Sequence, residues 1–359
     1  MSDAARNNLL GTTGPAPTTL GDAYAKKRAP KPALILTRNH ISTLMSAHDY
    51  LAAVEAGFRS YATGNVEMPS PMCIAAQQGA FHIKGARIVF EREYVAVKLN
   101  GNFPGNPRRS DLPTIQGALL LCAADDGSVL AIMDSIEITA KRTAAATALA
   151  ARLLARRDAQ CIAICGCGEQ GRAQLAALAE VLSPQRALVW DVDLEKARDF
   201  ACEMRKMLAF DVRAVRQIGD ATLSSDVIVT ATNARTPFLA RALVSPGTFV
   251  AAIGADSAEK SELVPELMAH ATIVVDVLSQ CAVMGDLHHA IDAGFVTPAD
   301  VHAELGEIVV GRKAGRANRD QIIVFDSTGV AFEDAASAAR IYERAIASNI
   351  GSSIVLGAR

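Results

Sequence analysis

The sequence lacks the features that mark several classes of protein. It has no block of basic residues, and 36 lysines and arginines are balanced by 38 aspartates and glutamates, so no nucleic-acid partner is expected. No apolar run is both long and uncharged, which argues against a membrane-spanning helix. The first residues contain no long apolar core, so a secretory signal is not expected.

The cysteines give no sign of disulfide cross-links. The seven cysteines follow no regular spacing, which disfavours a disulfide framework and fits free thiols in a reducing cytoplasm. Cys165 and Cys167 are only two positions apart, and no second Cys or His pair matches them. We therefore expect no metal site.

What the sequence does contain is enough apolar material for two domains. Half of the 359 residues are apolar. Residues 1–31 are rich in small and turn-forming residues and predict a flexible tail. A helical pattern over 48–61 precedes several strand patterns, so residues 32–145, joined by 320–359, predict an α+β domain built on antiparallel strands. The predicted strands of this domain cover 80–83, 86–90, 94–99, 115–123 and 129–133, and Gly85 is predicted to be a turn residue between the first two.

The pattern changes in the second domain, which we place at residues 146–319. An Ala- and Leu-rich helix over 139–155 leads into alternating strand and helix patterns, which are typical of a Rossmann-type, doubly wound parallel sheet. A last strand at 322–325 and a helix at 335–347 are expected to close the chain, the helix packing on the first domain. The predicted parallel strands cover 161–165, 187–191, 227–232, 248–253 and 272–277.

A glycine-rich turn follows the first of these parallel strands. Gly166, Gly168 and Gly171 have the G-x-G-x-x-G spacing, and a helix is predicted from about Gln170. The first glycine permits a tight turn, the second lets the backbone approach a pyrophosphate, and the third lets helix and strand pack closely. Free N–H groups at the helix start favour phosphate. The turn therefore predicts a dinucleotide cofactor.

An acidic residue closes the second parallel strand. Asp191 lies about 20 residues after the last glycine, where a carboxylate accepts hydrogen bonds from the adenosine ribose. Since this carboxylate repels a 2'-phosphate, NAD is preferred over NADP. Asp193 is an alternative for the ribose role, and Arg198 keeps NADP open as the cofactor.

Several ordered motifs then resemble those of the ornithine cyclodeaminase/mu-crystallin family, over nearly the whole chain after the tail. The resemblance implies a Rossmann-type domain and a second domain that binds substrate and forms a homodimer. The family includes cyclodeaminases, alanine dehydrogenases and ketimine reductases, so a small amino acid or imino acid is the implied substrate. The matching segments are 97–100 with 103–107, 139–145, the glycine turn, 254–256, and 315–316 with 325–329.

The resemblance also implies roles for individual residues. Lys98 and Asp256 are the implied catalytic residues, and Arg142 would bind the substrate carboxylate through its bidentate guanidinium. Taken by themselves, Lys98 could be a solvated charge, Arg142 an ion-pair partner and Asp256 a helix N-cap. The residues expected to bind the cofactor are Gly166, Gly168, Glu169, Gln170, Gly171, Asp191, Thr143, Thr230, Thr232, Ser327 and Gly329.

The chain departs from the family cyclodeaminases at two positions. An arginine upstream of the motif lysine and a glutamate that activates water are not evident. Lys84 is the candidate for the missing positive charge, and His82 for an added hydrogen bond to substrate. Without the water-activating acid, imine reduction or amino-acid oxidation is favoured. An ornithine cyclodeaminase-type ammonia lyase and a non-enzymatic, mu-crystallin-like binding protein are the alternatives.

Overall fold

The computed structural model describes residues 32–356, so the tail predicted over 1–31 lies outside the described residues. Within 32–356, no helix is long and apolar enough to cross a membrane. The first part of this range supplies seven strands of an eight-stranded sheet, whose eighth strand comes from the end of the range. Its elements are β1 (Ala33–Leu36), α1 (Arg38–Leu44), α2 (Ala47–Ala62), β2 (Val66–Glu67), β3 (Met72–Ala76), β4 (Gly79–Val89), β5 (Glu93–Asn102), α3 (Asn106–Arg109), β6 (Ile115–Ala123), β7 (Val129–Asp134) and α4 (Ser135–Leu154).

The next part forms the parallel sheet and its helices. Two short 3-10 helices, Arg241–Leu243 and Pro298–Asp300, lie in its connections. The chain then returns to the first sheet through its last helix and strand. The elements are β8 (Cys161–Cys165), α5 (Glu169–Val181), β9 (Arg186–Trp190), α6 (Leu194–Met207), β10 (Asp211–Ala214), α7 (Ile218–Thr222), β11 (Val227–Thr230), β12 (Phe249–Ala252), α8 (Pro265–Ala269), β13 (Thr272–Val275), α9 (Leu278–Cys281), α10 (Asp286–Asp292), β14 (Val301–Glu304), α11 (Leu305–Val309), β15 (Ile323–Asp326), α12 (Ala331–Ser348) and β16 (Ser352–Ile354).

The first sheet has the strand order β16-β1-β7-β6-β5-β4-β2, with β3 also paired to β4. It is mixed rather than antiparallel throughout, because β1 runs parallel to β7. The predicted break at Gly85 was wrong, since β4 is continuous and Gly85 pairs with Val97 of β5. A Cβ at Gly85 would make only an ordinary contact with its neighbours, so this glycine fits within the ladder without forming a turn.

The second sheet has the strand order β10-β9-β8-β11-β12-β15-β13-β14, and every pair in it is parallel. This confirms the predicted Rossmann-type sheet. Strand order reverses between β8 and β11, which are neighbours in the sheet although β9 and β10 lie between them in sequence. In open parallel sheets, ligands bind outside the carboxyl ends of strands at this reversal.

The predicted domain border at residue 320 needs a correction. Strand β15 was assigned to the first domain, but it pairs with β12 and β13 in the middle of the parallel sheet. Its four residues are fully buried, as both faces of a central parallel strand must be. Helix α12, which follows it, packs on α2 and on β4 and β5 of the first sheet, as predicted. The chain therefore crosses between the sheets at residues 327–330.

Candidate functional site

The glycine turn between β8 and α5 has the geometry that a bound pyrophosphate needs. Gly166 has a φ of +108°, and a Cβ there would lie 2.5 Å from the Ala231 carbonyl oxygen. A Cβ at Gly171 would overlap the Gly166 carbonyl oxygen, so this glycine allows close helix packing. A Cβ at Gly168, the N-cap of α5, would meet nothing within 4 Å. Backbone and open space at this helix start fit a dinucleotide phosphate.

A cleft of about 400 Å³ begins at this turn and lies over the carboxyl ends of β8, β9 and β11. It is the position expected for the adenosine half of a dinucleotide in this topology. Aromatic and small side chains line it together with two charged ones. It is lined by Gly166, Gly168, Trp190, Asp191, Val192, Lys196, Ala231, Thr232, Asn233, Ala234 and Phe238.

Asp191 is the acid of this cleft. Its carboxylate accepts a hydrogen bond from the Cys167 N–H at 2.9 Å and lies 3.0 Å from the Lys196 ammonium. Burial alone would raise the pKa of Asp191, but these contacts hold it below its usual value. Asp193 instead caps α6 through the N–H groups of its first turn. Arg198 pairs with Glu195 outside the cleft, so Lys196 is the cation nearest Asp191.

A second cavity, of about 190 Å³, adjoins the same strand ends and faces the first sheet. It brings together ten of the residues predicted from the sequence, which come from both halves of the chain: His82, Lys84, Lys98, Arg142, Thr143, Gln170, Thr232, Asp256, Ser327 and Gly329. The remaining lining residues are Asn100, Asn102, Ile115, Thr139, Ala231, Asn233, Ile253, Gly254, Lys260 and Thr328.

Two lysines form one wall of this cavity. Lys84 of β4 and Lys98 of β5 are direct cross-strand partners, an arrangement that is unfavourable for like charges unless anions compensate. The Lys84 ammonium donates to the carbonyl oxygens of Thr328 and Gly329, at 3.1 and 2.7 Å. Burial lowers the pKa of Lys84, and it lowers the pKa of Lys98 to about 8.

The compensating anions come from the first turn of α12. Asp334 lies 2.6 Å from the Lys98 ammonium and 3.0 Å from Nε of Arg142, and Glu333 lies 2.7 Å from Nη1 of Arg142. All four side chains are at least 95% buried. Arg142 is inside helix α4 rather than at its start, because Asp134 caps that helix four residues earlier than predicted. Arg142 thus forms an ion pair and lines the cavity.

The opposite wall carries Asp256, which follows β12. Its carboxylate is half exposed to the cavity and lies 2.6 Å from the Lys260 ammonium. Burial alone would raise the pKa of Asp256, but Lys260, Lys84 and His82 together hold it below its usual value. Asp256 begins no helix, so it does not act as an N-cap. Burial lowers the pKa of His82.

The crossing between the two sheets is held by a buried carboxylate that sequence reasoning missed. Oδ2 of Asp276, after β13, accepts hydrogen bonds from the N–H groups of Thr328 and Gly329 at 2.8 Å and from the Ser327 hydroxyl at 3.1 Å. Gly329 has a φ of +73°, and a Cβ there would lie 2.8 Å from Nη1 of Arg142. The loop therefore sets the position of both Lys84 and Arg142.

Three predicted cofactor residues do not line either cavity. The Glu169 side chain is 93% exposed and faces Arg172, so only its backbone lies at the helix start. Thr230 is fully buried at the end of β11, and Gly171 packs against the turn. The residues missed by sequence reasoning had weak signals: Lys260 follows Asp256 by four positions, and Glu333 and Asp334 lie in the first turn of a helix, where acidic residues are common.

Comparisons with known proteins agree with this geometry. The model of the ornithine cyclodeaminase/mu-crystallin family matches residues 32–349. Alanine dehydrogenase of Archaeoglobus fulgidus is 36% identical over 323 residues, which cover 89% of this chain and 98% of that protein.

Two solved structures are similar over most of their length. The structure of an archaeal alanine dehydrogenase dimer with bound NAD has a TM-score of 0.86 and 35% identity, covering 90% of this chain and 99% of that one. The structure of Thermococcus litoralis Δ(1)-pyrroline-2-carboxylate reductase, in complex with NADH and L-proline, has a TM-score of 0.86 and 32% identity. The match covers 89% of this chain and 100% of that one.

Proposed function

Because the chain belongs to the ornithine cyclodeaminase/mu-crystallin family, we propose that it is an NAD(P)-dependent oxidoreductase acting on a small α-amino or α-imino acid. Ketimine reduction and alanine-type amino-acid dehydrogenation are the two reactions that fit. The observation that carries the proposal is the second cavity. There, three cations of the first domain face Asp256 beside the dinucleotide cleft.

The glycine turn and Asp191 are proposed to hold the cofactor, with NAD preferred. The open space at Gly168 and the helix start behind it suit the pyrophosphate, and Asp191 suits the ribose hydroxyls. NAD and NADH are bound in the similar dehydrogenase and reductase structures. When bound, the nicotinamide supplies or accepts the hydride.

Lys84, Lys98 and Arg142 are proposed to bind the substrate carboxylate. They face two carboxylates of α12, which leaves at least one positive charge in the wall for a substrate anion. A guanidinium fork and two ammonium groups fix both the position and the orientation of a carboxylate. Holding the substrate Cα against the cofactor in this way can contribute a large part of the rate enhancement.

Asp256 is proposed to act at the substrate nitrogen. Its lowered pKa keeps it anionic at neutral pH, where it stabilises a positively charged iminium nitrogen. An imine that gains hydride at Cα must also gain one proton at nitrogen. The Lys260 ammonium, in contact with Asp256, is a proton source that Asp256 can relay.

The chain is also proposed to form a homodimer through the first sheet. The outer face of that sheet carries an apolar row, because Ile35, Ile132, Leu120 and Val97 are successive partners across four strands. Leu99 and Ile74, farther along the sheet, are 44% and 50% exposed. A continuous exposed apolar face of this kind marks an interaction surface. One of the similar structures is a dimer.

A cytoplasmic location is part of the proposal. All seven cysteine thiols are free, and four of them, Cys161, Cys165, Cys167 and Cys281, are buried. Free thiols are the rule in a reducing compartment.

The test is a substrate panel followed at the NADH absorbance. Preformed cyclic imines, and α-keto acids with ammonia or amines, should drive net NADH oxidation. Ornithine converted to a cyclic product and ammonia without net NADH change would identify a cyclodeaminase instead. NADH binding with no turnover of any of these compounds would contradict the proposed oxidoreductase.

A further inference from the structure

A fully buried carboxylate lies behind the second cavity without lining it. Oε1 of Glu262 accepts hydrogen bonds from the N–H and the hydroxyl of Thr232, both at 2.6 Å, and Oε2 accepts one from the Gly254 N–H at 2.9 Å. Glu262 itself is 0% exposed. A single carboxylate therefore satisfies three donors on two separate segments of the chain, and such charge-assisted bonds are among the stronger ones in proteins.

Both segments line the second cavity where it adjoins the dinucleotide cleft, which is where the nicotinamide of a bound cofactor would lie. Thr232 belongs to the loop after β11, and Gly254 to the loop after β12, which leads to Asp256. The two strands are adjacent and parallel, and their ladder ends before these residues. The N–H groups of Thr232 and Gly254 have no strand partner, so the carboxylate extends the connection between the strands to the edge of the cavity.

Close packing shows that this connection is tight. A Cβ on Gly254 would overlap the Glu262 carboxylate, so only glycine at this position leaves room for the contact. The loop after β11 also lines the first cleft, where Thr232 and Asn233 are shared between the two cavities. A displacement of the Glu262 carboxylate would therefore move the loop that lines the cofactor cleft and the loop that carries Asp256.

Glu262 is in turn held by other buried carboxylates. Oδ1 of Asp286, at the start of α10, accepts hydrogen bonds from the N–H groups of Glu262 and Leu263 at 2.8 and 2.9 Å. Oδ2 of Asp326, at the end of β15, accepts one from the Leu287 N–H at 2.8 Å. These hydrogen bonds thus connect the end of the central strand β15, through α10 and Glu262, to the loops after β11 and β12.

We propose that Glu262 is a positioning residue that fixes the strand ends forming the nicotinamide side of the site. The inference rests on the proposed function, because it assumes that a dinucleotide occupies the cleft. Glu262 touches neither substrate nor cofactor in this assignment. It acts through Thr232 and Gly254.

The position of this carboxylate also gives the proposal a pH signature. The titratable groups that face it are Asp286 from α10 and Cys165 from β8. Burial, together with Asp286, raises the pKa of Glu262 to about 7. Above that pH the anion accepts all three hydrogen bonds. Below it, a proton occupies one of the accepting sites, so the connection between the loops weakens.

The experiment compares Glu262→Gln with Glu304→Gln. Glu304 also accepts a backbone N–H, from Leu278 at 2.8 Å, but it lines neither cavity. At pH 8, Glu262→Gln should weaken NADH binding, measured by nucleotide fluorescence, by about tenfold. It should lower kcat while leaving KM for the imino acid unchanged, since the substrate-binding cations come from the first domain. Glu304→Gln should leave the NADH affinity and kcat unchanged.

The pH series separates positioning from general destabilisation. The parent protein should lose NADH affinity as pH falls from 8 to 6, whereas Glu262→Gln should bind equally weakly throughout. Equal NADH affinity in parent and Glu262→Gln, with the same pH dependence, would overturn the inference. A parent protein that binds no NADH would instead overturn the proposed function. If Glu262→Gln does not fold, Thr232→Val removes one of the three bonds, and an unchanged NADH affinity there would also overturn it.

Discussion

Replacing Asp334 by asparagine should change the pH range in which the protein works. Asp334 is the anion nearest the Lys98 ammonium, at 2.6 Å, in a region where both side chains are at least 95% buried. Lys98 has a pKa of about 8 because burial lowers it and Asp334 opposes that lowering. The lysine is protonated below this pKa, so binding of a substrate carboxylate should weaken as pH rises through 8.

The size of the effect follows from the contact. Loss of an opposite charge in contact with a buried group changes its pKa by about 1–3. A lowering of about 2 would bring Lys98 near pH 6, and the protonated fraction at pH 7.5 would fall about 25-fold. At pH 6 about half of the variant would be protonated, and the deficit should shrink to about twofold.

The assay is kcat/KM for the imino acid between pH 5.5 and 9, which reports groups of the free protein. Its alkaline limb should move from about pH 8 to about pH 6 in Asp334→Asn. Asp226→Asn is the matched control, because Asp226 also pairs with an arginine, Arg156, but lines neither cavity. The alkaline limb of the kcat/KM profile of Asp226→Asn should keep the midpoint of the parent protein.

The shape of the result decides between two explanations. A deficit that is constant from pH 5.5 to 9 would mean that Asp334 does not control the protonation of Lys98. A shifted limb with recovery at low pH would support the assigned ion pair. Thermal unfolding of each variant is measured in parallel, since loss of a buried ion-pair partner costs about 3–5 kcal/mol of stability.

Three further predictions concern the other walls of the site. Asp256→Asn should reduce turnover by at least about 100-fold while NADH affinity stays within twofold, and unchanged turnover would refute its role. Asp191→Ser should raise KM for NADH about tenfold and lower KM for NADPH, because the Lys196 ammonium, 3.0 Å away, is released for a 2'-phosphate; unchanged preference would argue against this ribose site. Gly329→Ala should raise KM for the imino acid about tenfold by displacing the buried guanidinium, whereas Gly64→Ala, with a similar φ and nothing within 4 Å, should lose only stability.

Much of the fold followed from local patterns. The alternation of apolar strands with amphipathic helices predicted the parallel sheet, and β8 and β6 were placed with the observed bounds. The errors fell where local signals mislead. Gly85 looked like a turn but sits inside a long strand, because ten cross-strand pairs of β4 with β5 outweigh the low strand preference of one glycine.

The local sequence could not show which of the two sheets contains β15. Its sequence is that of any buried strand, and only the pairing with β12 and β13, which are distant in sequence, assigns it to the parallel sheet. The same limit applies to the site. Motif residues such as Lys98 and Asp256 stood out, but their partners Asp334 and Lys260 are ordinary charged residues until the fold places them in contact.

Hydride transfer from the cofactor to the substrate Cα can be followed with an isotope. The protein would be supplied with a cyclic imine and NADH deuterated at the transferable C4 position, and the product would be examined by mass spectrometry and NMR. We expect one deuterium at Cα of the amino-acid product for each NADH consumed. NADH consumption without deuterium at Cα would contradict this hydride transfer.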